Sequence, residues 1–172
     1  MRTVDSITIR APLARVFALA SDVERWPAIL PHYRWVRFLE RADGRGARGE
    51  PAGGLVEMAA WRPFGPIGYP TWWVSQMRIS PEAGEIRYRH VRGITRGMDV
   101  VWRLRPAGGG GGAGGAGGAG GAVDVEVVHE WEGPAWPLVG RVSARLVIGP
   151  VFIHAIASRT LAGIRRAAEA IG

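Results

Sequence analysis

The sequence predicts an α+β domain in which a curved antiparallel sheet closes around one long terminal helix. Between residues 32 and 132, short runs of alternating apolar and polar residues are separated by turn-forming residues. After Pro150 the apolar residues recur at helical spacing instead. A chain of 172 residues has the length of one domain. We therefore expect residues 1–172 to form a single domain with one core.

The predicted elements follow the order strand, two short helices, six strands and a long helix. A first strand is expected at residues 4–10, followed by a short amphipathic helix. Ser21 and Glu24 are spaced as a capping box, which predicts the start of a second short helix that ends before Pro31. The six further strands are expected at residues 33–40, 55–61, 71–79, 85–91, 98–105 and 123–132.

A low-complexity segment separates the last two predicted strands. Residues 108–121 contain eleven glycines and three alanines. Such a segment buries little apolar surface, and glycine loses the most entropy on ordering. We therefore predict a flexible insertion in a hairpin loop. It is either a neutral expansion, which the slow growth of loop-closure cost permits, or a mobile lid.

The composition excludes several kinds of chemistry. The 22 basic residues are all arginine and the chain has no cysteine, so a lysine Schiff base, a thiolate nucleophile and a thiolate metal site are excluded. The histidines show none of the spacings typical of metal sites, and we expect neither a metal nor another cofactor. The net charge of +7 suggests nucleic-acid binding, but no nucleic-acid-binding motif accompanies it. We expect no nucleic-acid partner.

No segment predicts a signal peptide or a membrane span, and we expect a cytoplasmic protein. Residues 134–150 are apolar with two arginines. They are expected either to cap a cavity or to make transient contact with a membrane surface. Strands that carry apolar residues on both faces, such as Trp72 and Trp73, are compatible with a homodimer.

Three predicted strands place aromatic and imidazole side chains on an apolar face. Alternation puts His129 with the valines of the last strand, Tyr88 and His90 together on theirs, and Trp102 among apolar neighbours. An apolar surface with a few convergent polar groups is what a small-molecule site requires. Alternatively, each histidine is a core residue hydrogen-bonded to a neighbour, and the tryptophans fill a core or a dimer face. Further candidate ligand contacts are Trp131 and, on the apolar side of the terminal helix, Ile153, Ile156 and Leu161.

Several local motifs accompany this order of elements. They are Ala11-Pro12 after the first strand, DVERWP at residues 22–27, LPHY at 30–33 and IASRTLAGIRRAAE at 156–169. With these motifs the chain resembles the START/Bet v1-like (SRPBCC) superfamily, and within it the polyketide cyclase/dehydrase-type and Coq10-type proteins. The resemblance implies a helix-grip fold, in which the sheet wraps the long helix and leaves a deep, largely apolar cavity.

The resemblance also implies site residues. Trp26, Tyr33 and Arg78 match pocket residues of the aromatic polyketide aromatase/cyclases, in which the arginine and tyrosine bind and polarise polyketide oxygens. A buried guanidinium stays charged and stabilises an enolate as it develops. His32, a further candidate ligand contact, stands where those enzymes can carry an acidic residue, and the Arg78 match requires a one-residue gap.

Two functions follow from these observations. The first is binding of a hydrophobic small molecule of the polyketide, lipid or quinone class between the sheet and the terminal helix. The alternative is a cofactor-independent polyketide aromatase/cyclase or dehydratase that uses Arg78, Tyr33 and His129. An imidazole in a partly dry cavity can move protons. The sequence offers no complete set of nucleophile, base and orienting group, and this favours binding.

Overall fold

The predicted order of elements is confirmed. The computed structural model describes residues 1–42, 52–64, 67–108, 121–133 and 153–170, with the backbone alone described for 62–64 and 67–69. Strand β1 (Arg2–Ile9) leads to helix α1 (Leu13–Ser21), a 3-10 turn (Val23–Arg25) and helix α2 (Trp26–Ile29). The remaining elements are β2 (Tyr33–Arg41), β3 (Gly53–Phe64), β4 (Ile67–Ser80), β5 (Glu85–Gly93), β6 (Asp99–Pro106), β7 (Val123–Glu130) and helix α3 (His154–Glu169).

The described strands form one seven-stranded antiparallel sheet in the order β1-β7-β6-β5-β4-β3-β2. Helix α3 packs on the inner face of this sheet through a buried side that includes Ala157, Leu161 and Ile164. Because those residues are apolar and lie at helical spacing, they remove one continuous stripe from water. The sheet wraps around α3, and the helix-grip architecture is confirmed.

Alternation along the strands decides which side chains face α3. Strand β5 buries Ile86, Tyr88 and His90 and leaves Arg87 and Arg89 exposed. On β6 the buried set comprises Val100, Trp102 and Leu104, and on β7 it includes Val123, Val125 and Val127. The predicted facing of these three strands is confirmed, and it determines which residues line the interior.

Strand β4 corrects the expectation for Arg78. Trp73, Ser75 and Met77 are buried on the inner face, and Arg78, one residue further on, is exposed on the outer face. Its strand neighbours are Gly53 and Arg87. The expectation that Arg78 points into the cavity is wrong because Met77 already occupies the inward position and successive strand residues face opposite ways. The outward position also keeps the guanidinium in water, where it loses no hydration.

The capping box predicted at Ser21 is also wrong. Ser21 is the last residue of α1, and its hydroxyl donates to the Ala18 carbonyl at 3.3 Å. The Glu24 carboxylate accepts from the Phe38 amide at 3.3 Å and pairs with Arg41 on β2. The predicted second helix therefore consists of the 3-10 turn and α2, and Glu24 links this turn to the sheet.

Two predicted segments fall largely outside the described residues. They are the glycine-rich insertion at residues 108–121, of which 109–120 are not described, and the apolar segment 134–150, none of which is described. Both the flexible loop and the cap or membrane contact at 134–150 stay predictions. Among the helices that the structure describes, none is long and apolar enough to cross a membrane.

Candidate functional site

A cavity lies between α3 and the inner face of the sheet. Its apolar lining comprises Trp26, Met58, Trp73, Met98, Val100, Trp102, Val127, Ile153, Ile156 and Ala157, and its polar lining comprises Tyr33, Tyr88, His90, His129 and Thr160. Its volume is about 70 Å³, whereas pockets for drug-sized ligands measure roughly 300–1,000 Å³. The cavity is largely apolar and aromatic, as the resemblance implies, but it is narrow. A multi-ring ligand requires lining side chains or α3 to move.

Most of the predicted site residues meet at this cavity. Those in its lining are Tyr33, His129, Trp26, Tyr88, His90, Trp102, Ile153 and Ile156. Leu161 is buried in the core, and the indole nitrogen of Trp131 donates to the Arg96 carbonyl at 3.0 Å. Neither Leu161 nor Trp131 lies in the described cavity lining, and Arg78 lies on the other face of the sheet.

Aromatic rings form one continuous wall of the cavity. Trp26 contacts the ring of Tyr33 edge-on at a centroid distance of 5.1 Å and the ring of Trp102 at 5.7 Å. Trp73 lies 6.3 Å from the ring of Tyr33 and stacks on His90 at 5.9 Å. Such pairs contribute about 0.5–1.5 kcal/mol each beyond the burial of their area. The wall presents π-faces and ring edges to the cavity.

Tyr88 brings an unpartnered hydroxyl to this cavity. The side chain is buried, and its hydroxyl has no hydrogen-bond partner among the described residues. Burial, and secondarily the nearby Tyr33, raises the pKa of Tyr88 well above its usual value, so the phenol stays neutral. A buried hydroxyl without a partner costs about 1–3 kcal/mol. Such a group is suited to hydrogen bonding with an oxygen-bearing ligand.

The two predicted cavity histidines differ in their surroundings. His90 is buried, and its Nδ1 is hydrogen-bonded to the hydroxyl of buried Thr95 at 2.7 Å. This contact matches the interpretation of His90 as a core histidine satisfied by a neighbour. His129 is half-buried in the cavity lining, and it is the imidazole better placed for contact with a ligand. Within the described residues, no three of His, Asp and Glu are grouped as metal ligands.

His32 is buried outside the cavity lining and contacts Thr160, which is part of that lining. The Thr160 hydroxyl donates to the Ile156 carbonyl at 2.8 Å, and its oxygen lies 3.0 Å from His32 Nε2. Burial, together with the charges of Arg159 and Arg166, lowers the pKa of His32 to about 4. His32 is therefore neutral at pH 7. Because the Thr160 hydroxyl already donates its hydrogen to the Ile156 carbonyl, we infer that His32 Nε2–H donates to the Thr160 oxygen.

Sequence reasoning missed a buried carboxyl group. Asp5 is 5% exposed on the inner face of β1, and its Oδ1 pairs with Nδ1 of His154 at the start of α3. Burial raises the pKa of Asp5, while the hydrogen bond and charge of His154 act in the opposite direction. Asp5 shares strand parity with Ile7 and Ile9, and this alternation was the signal that could have found it.

The fold and the site define a helix-grip domain with a narrow, aromatic-lined cavity between the sheet and the terminal helix. Residues 9–148 match the model of the family described as "Polyketide cyclase / dehydrase and lipid transport". The match spans most of the chain, and the protein belongs to this family. No curated protein matches the sequence.

Solved structures with the same fold include enzymes and proteins of other classes. TTHA0849 from Thermus thermophilus is 18% identical, with a TM-score of 0.69 over 99% of this chain and 98% of its own. The Zhui aromatase/cyclase from Streptomyces sp. R1128 is 17% identical, with a TM-score of 0.66 over 100% and 98%. A START superfamily protein from Mycobacterium smegmatis is 13% identical, with a TM-score of 0.62 over 99% of each chain. At these identities the likeness concerns the fold alone.

Proposed function

We propose that the protein binds a hydrophobic, oxygen-bearing small molecule of the polyketide, lipid or quinone class in the cavity between α3 and the sheet. The observation that carries this proposal is the buried, unpartnered hydroxyl of Tyr88 within an aromatic lining. The wall formed by Trp26, Trp73 and Trp102 would contact the apolar body of the ligand. The Tyr88 hydroxyl would donate a hydrogen bond to a ligand oxygen and so gain a partner.

The family supports this proposal at a coarser level. Its description joins polyketide cyclase and dehydrase with lipid transport, and it thus names two of the three proposed ligand classes. The narrow volume of the cavity adds a requirement, because a ligand of this size enters only if the space widens. We therefore expect ligand binding to change the exposure of the lining residues, Ile153 and Ile156 at the start of α3 in particular.

Titration with a matched pair of planar probes tests the proposal. The probes are a hydroxyanthraquinone and anthracene, which share three fused rings but differ in oxygen content. Quenching of tryptophan fluorescence should report binding of both probes. In Tyr88→Phe we expect the affinity for the quinone to fall about tenfold, the effect of one lost hydrogen bond, with the affinity for anthracene unchanged.

The stability of the same variant provides the control. Removing a buried hydroxyl that has no partner should leave the free energy of unfolding unchanged or raise it by about 1 kcal/mol. A weaker quinone complex in an equally stable protein thus locates the ligand oxygen at Tyr88. Absence of binding by either probe, or equal loss for both, would contradict the proposal.

A cyclase or dehydratase activity is the second candidate function, and the position of His129 favours it. This imidazole is half-buried in the cavity lining, where it would accept a proton from an acidic methylene. Arg78 takes no part because it lies on the outer face. Incubation with a reactive poly-β-ketone should give ring formation that depends on His129. If the rate is the same for His129→Gln as for the unmodified protein, this function is ruled out.

A further inference from the structure

The longest two strands extend past the rest of the sheet. Strands β3 and β4 pair with each other as far as Phe64 and Ile67. Strand β2 pairs with β3 only as far as Ala60, and β5 pairs with β4 only as far as Trp73. One further hydrogen bond, from the Trp61 amide to the His32 carbonyl at 2.8 Å, completes the attachment on the β2 side. Residues 61–64 and 67–72 thus form a hairpin arm that extends beyond the pairing of β2 with β3 and of β5 with β4.

Three exposed tryptophans and one arginine lie where this arm joins the sheet. Trp35, Trp61 and Trp72 are 37%, 42% and 49% exposed. Ala59 pairs with both Trp35 and Trp72, and it is fully buried although it faces outward. The Arg34 guanidinium carbon lies 4.9 Å from the Trp35 ring centroid and 4.8 Å from that of Trp61. We call Arg34 and the three tryptophans the Trp–Arg patch.

The patch is cationic as well as apolar. Arg34 makes no ion pair with a carboxylate among the described residues. The sequence from Met58 to Val74 contains no acidic residue, and Glu57 just before it is paired with Arg37 at 2.7 Å. An exposed cation that lies between two aromatic rings, with no carboxylate paired to it in the described part of the chain, complements an anionic partner.

We propose that the Trp–Arg patch docks on an anionic lipid surface. Tryptophan is enriched at membrane–water interfaces because its ring is apolar and its N–H is polar. Arginine near an anionic leaflet is attracted by the surface potential.

The arm and the patch disfavour two other partners. Pro63, Pro66 and Pro70 lack the amide hydrogen that strand addition by a second copy would use. The Trp–Arg patch also carries a single arginine, whereas binding to a nucleic-acid backbone uses several cations. Lipid also fits the location of the arm, because Met58 and Trp73 line the cavity immediately beside it. Docking of the Trp–Arg patch would therefore bring that end of the cavity to the bilayer.

Vesicle co-sedimentation of the full chain tests this inference. We expect binding to phosphatidylcholine vesicles that contain phosphatidylglycerol, weaker binding to phosphatidylcholine alone, and weakening with added salt. The double variant Trp61→Ser/Trp72→Ser should abolish measurable binding. Arg34→Gln should weaken it about fivefold, the contribution of one cation near an anionic surface. The matched controls are Leu39→Ser, another exposed apolar residue, and Arg2→Gln, another exposed arginine, and both should bind as the unmodified protein does.

Further readouts make the outcome decisive. Brominated acyl chains should quench the fluorescence of the unmodified protein, and this measurement needs no variant. Equal binding by all variants, or no binding to either vesicle, would overturn the proposal. A dimer that dissociates in the double variant would assign the patch to a second copy instead, and patch-dependent binding of single-stranded RNA would assign it to nucleic acid. Trp61→Ser/Trp72→Ser should still bind the quinone probe and Tyr88→Phe should still bind vesicles, so this inference and the proposed function fail separately.

Discussion

Trp72 and Trp73 are adjacent in the sequence and belong to two different regions of the molecule. Trp73 is 5% exposed on the inner face of the sheet, where it stacks on His90 and lines the cavity. Trp72 is 49% exposed on the outer face, above Ala59 at the base of the hairpin arm. In this sheet, the face on which a residue lies, which strand alternation sets, therefore indicates its role better than its residue type does.

The polar groups of the two faces differ in the same way. Groups enclosed between the sheet and the helices, such as Tyr88 and His32, are neutral and buried, with their pKa values displaced by burial. Many outer-face groups are charged, and several of them form ion pairs in contact with water, such as Arg37 with Glu57. The stability that inner groups contribute should therefore depend on packing and protonation. The stability that outer-face ion pairs contribute should depend on salt concentration. Single substitutions on each face can test this contrast.

The largest expected effect distinguishes the adjacent tryptophans. Trp73→Ala should lower the free energy of unfolding by about 3–5 kcal/mol, because it removes a buried ring and leaves a void beside Tyr33 and His90. Trp72→Ala should cost less than about 1 kcal/mol, since it removes a half-exposed ring. Urea denaturation of both variants checks this difference. Equal losses would show that Trp72 also belongs to the core, and the two-region description would fail.

His32 provides the next effect, which depends on pH. Its folded pKa of about 4 lies below the ordinary 6.5, so the unfolded chain binds the proton more tightly. The stability associated with neutral His32 is complete above about pH 6.5 and is lost as the pH falls towards 4. We expect a loss of between about 1 and 3 kcal/mol over this range.

Denaturation of His32→Gln between pH 7 and pH 4 isolates this effect. Glutamine keeps an N–H that can donate to Thr160 but does not titrate. The variant should therefore lose less stability on acidification than the unmodified protein, while carboxylates such as Asp5 titrate in both. An identical pH dependence in the two proteins would show that His32 is not the group responsible.

Strand parity explains how much of the site the sequence could predict. The inward positions of Tyr88, His90, Trp102 and His129 follow from alternation within single strands, and they are confirmed. The same rule separates Arg78 from Met77. The sequence left the cavity face of β4 ambiguous, because apolar residues occupy both of its faces. Parity places Trp72 outward once Trp73 is known to face inward, but the exposure of Trp72 at the base of the arm depends on where the neighbouring strands stop.

Contacts between distant residues could not be predicted in this way. His32 and Thr160 are 128 residues apart, and Asp5 and His154 are 149 residues apart. Each pair depends on where α3 crosses the sheet, and no local spacing encodes that position. The cavity volume is likewise a property of packed side chains, so the sequence could indicate an apolar lining but not how narrow the space is.

The smallest expected effect belongs to the outer face, where Arg103 bridges three strands. Its guanidinium lies 3.3 Å from Glu85 on β5 and 2.9 Å from Glu126 on β7. Because the arginine side chain is 32% exposed, water screens both pairs. Arg103→Ala should therefore cost less than about 1 kcal/mol, and the cost should shrink further in high salt. A loss as large as that of Trp73→Ala, unchanged by salt in urea denaturation, would mean that this network stabilises the sheet as strongly as the aromatic wall does.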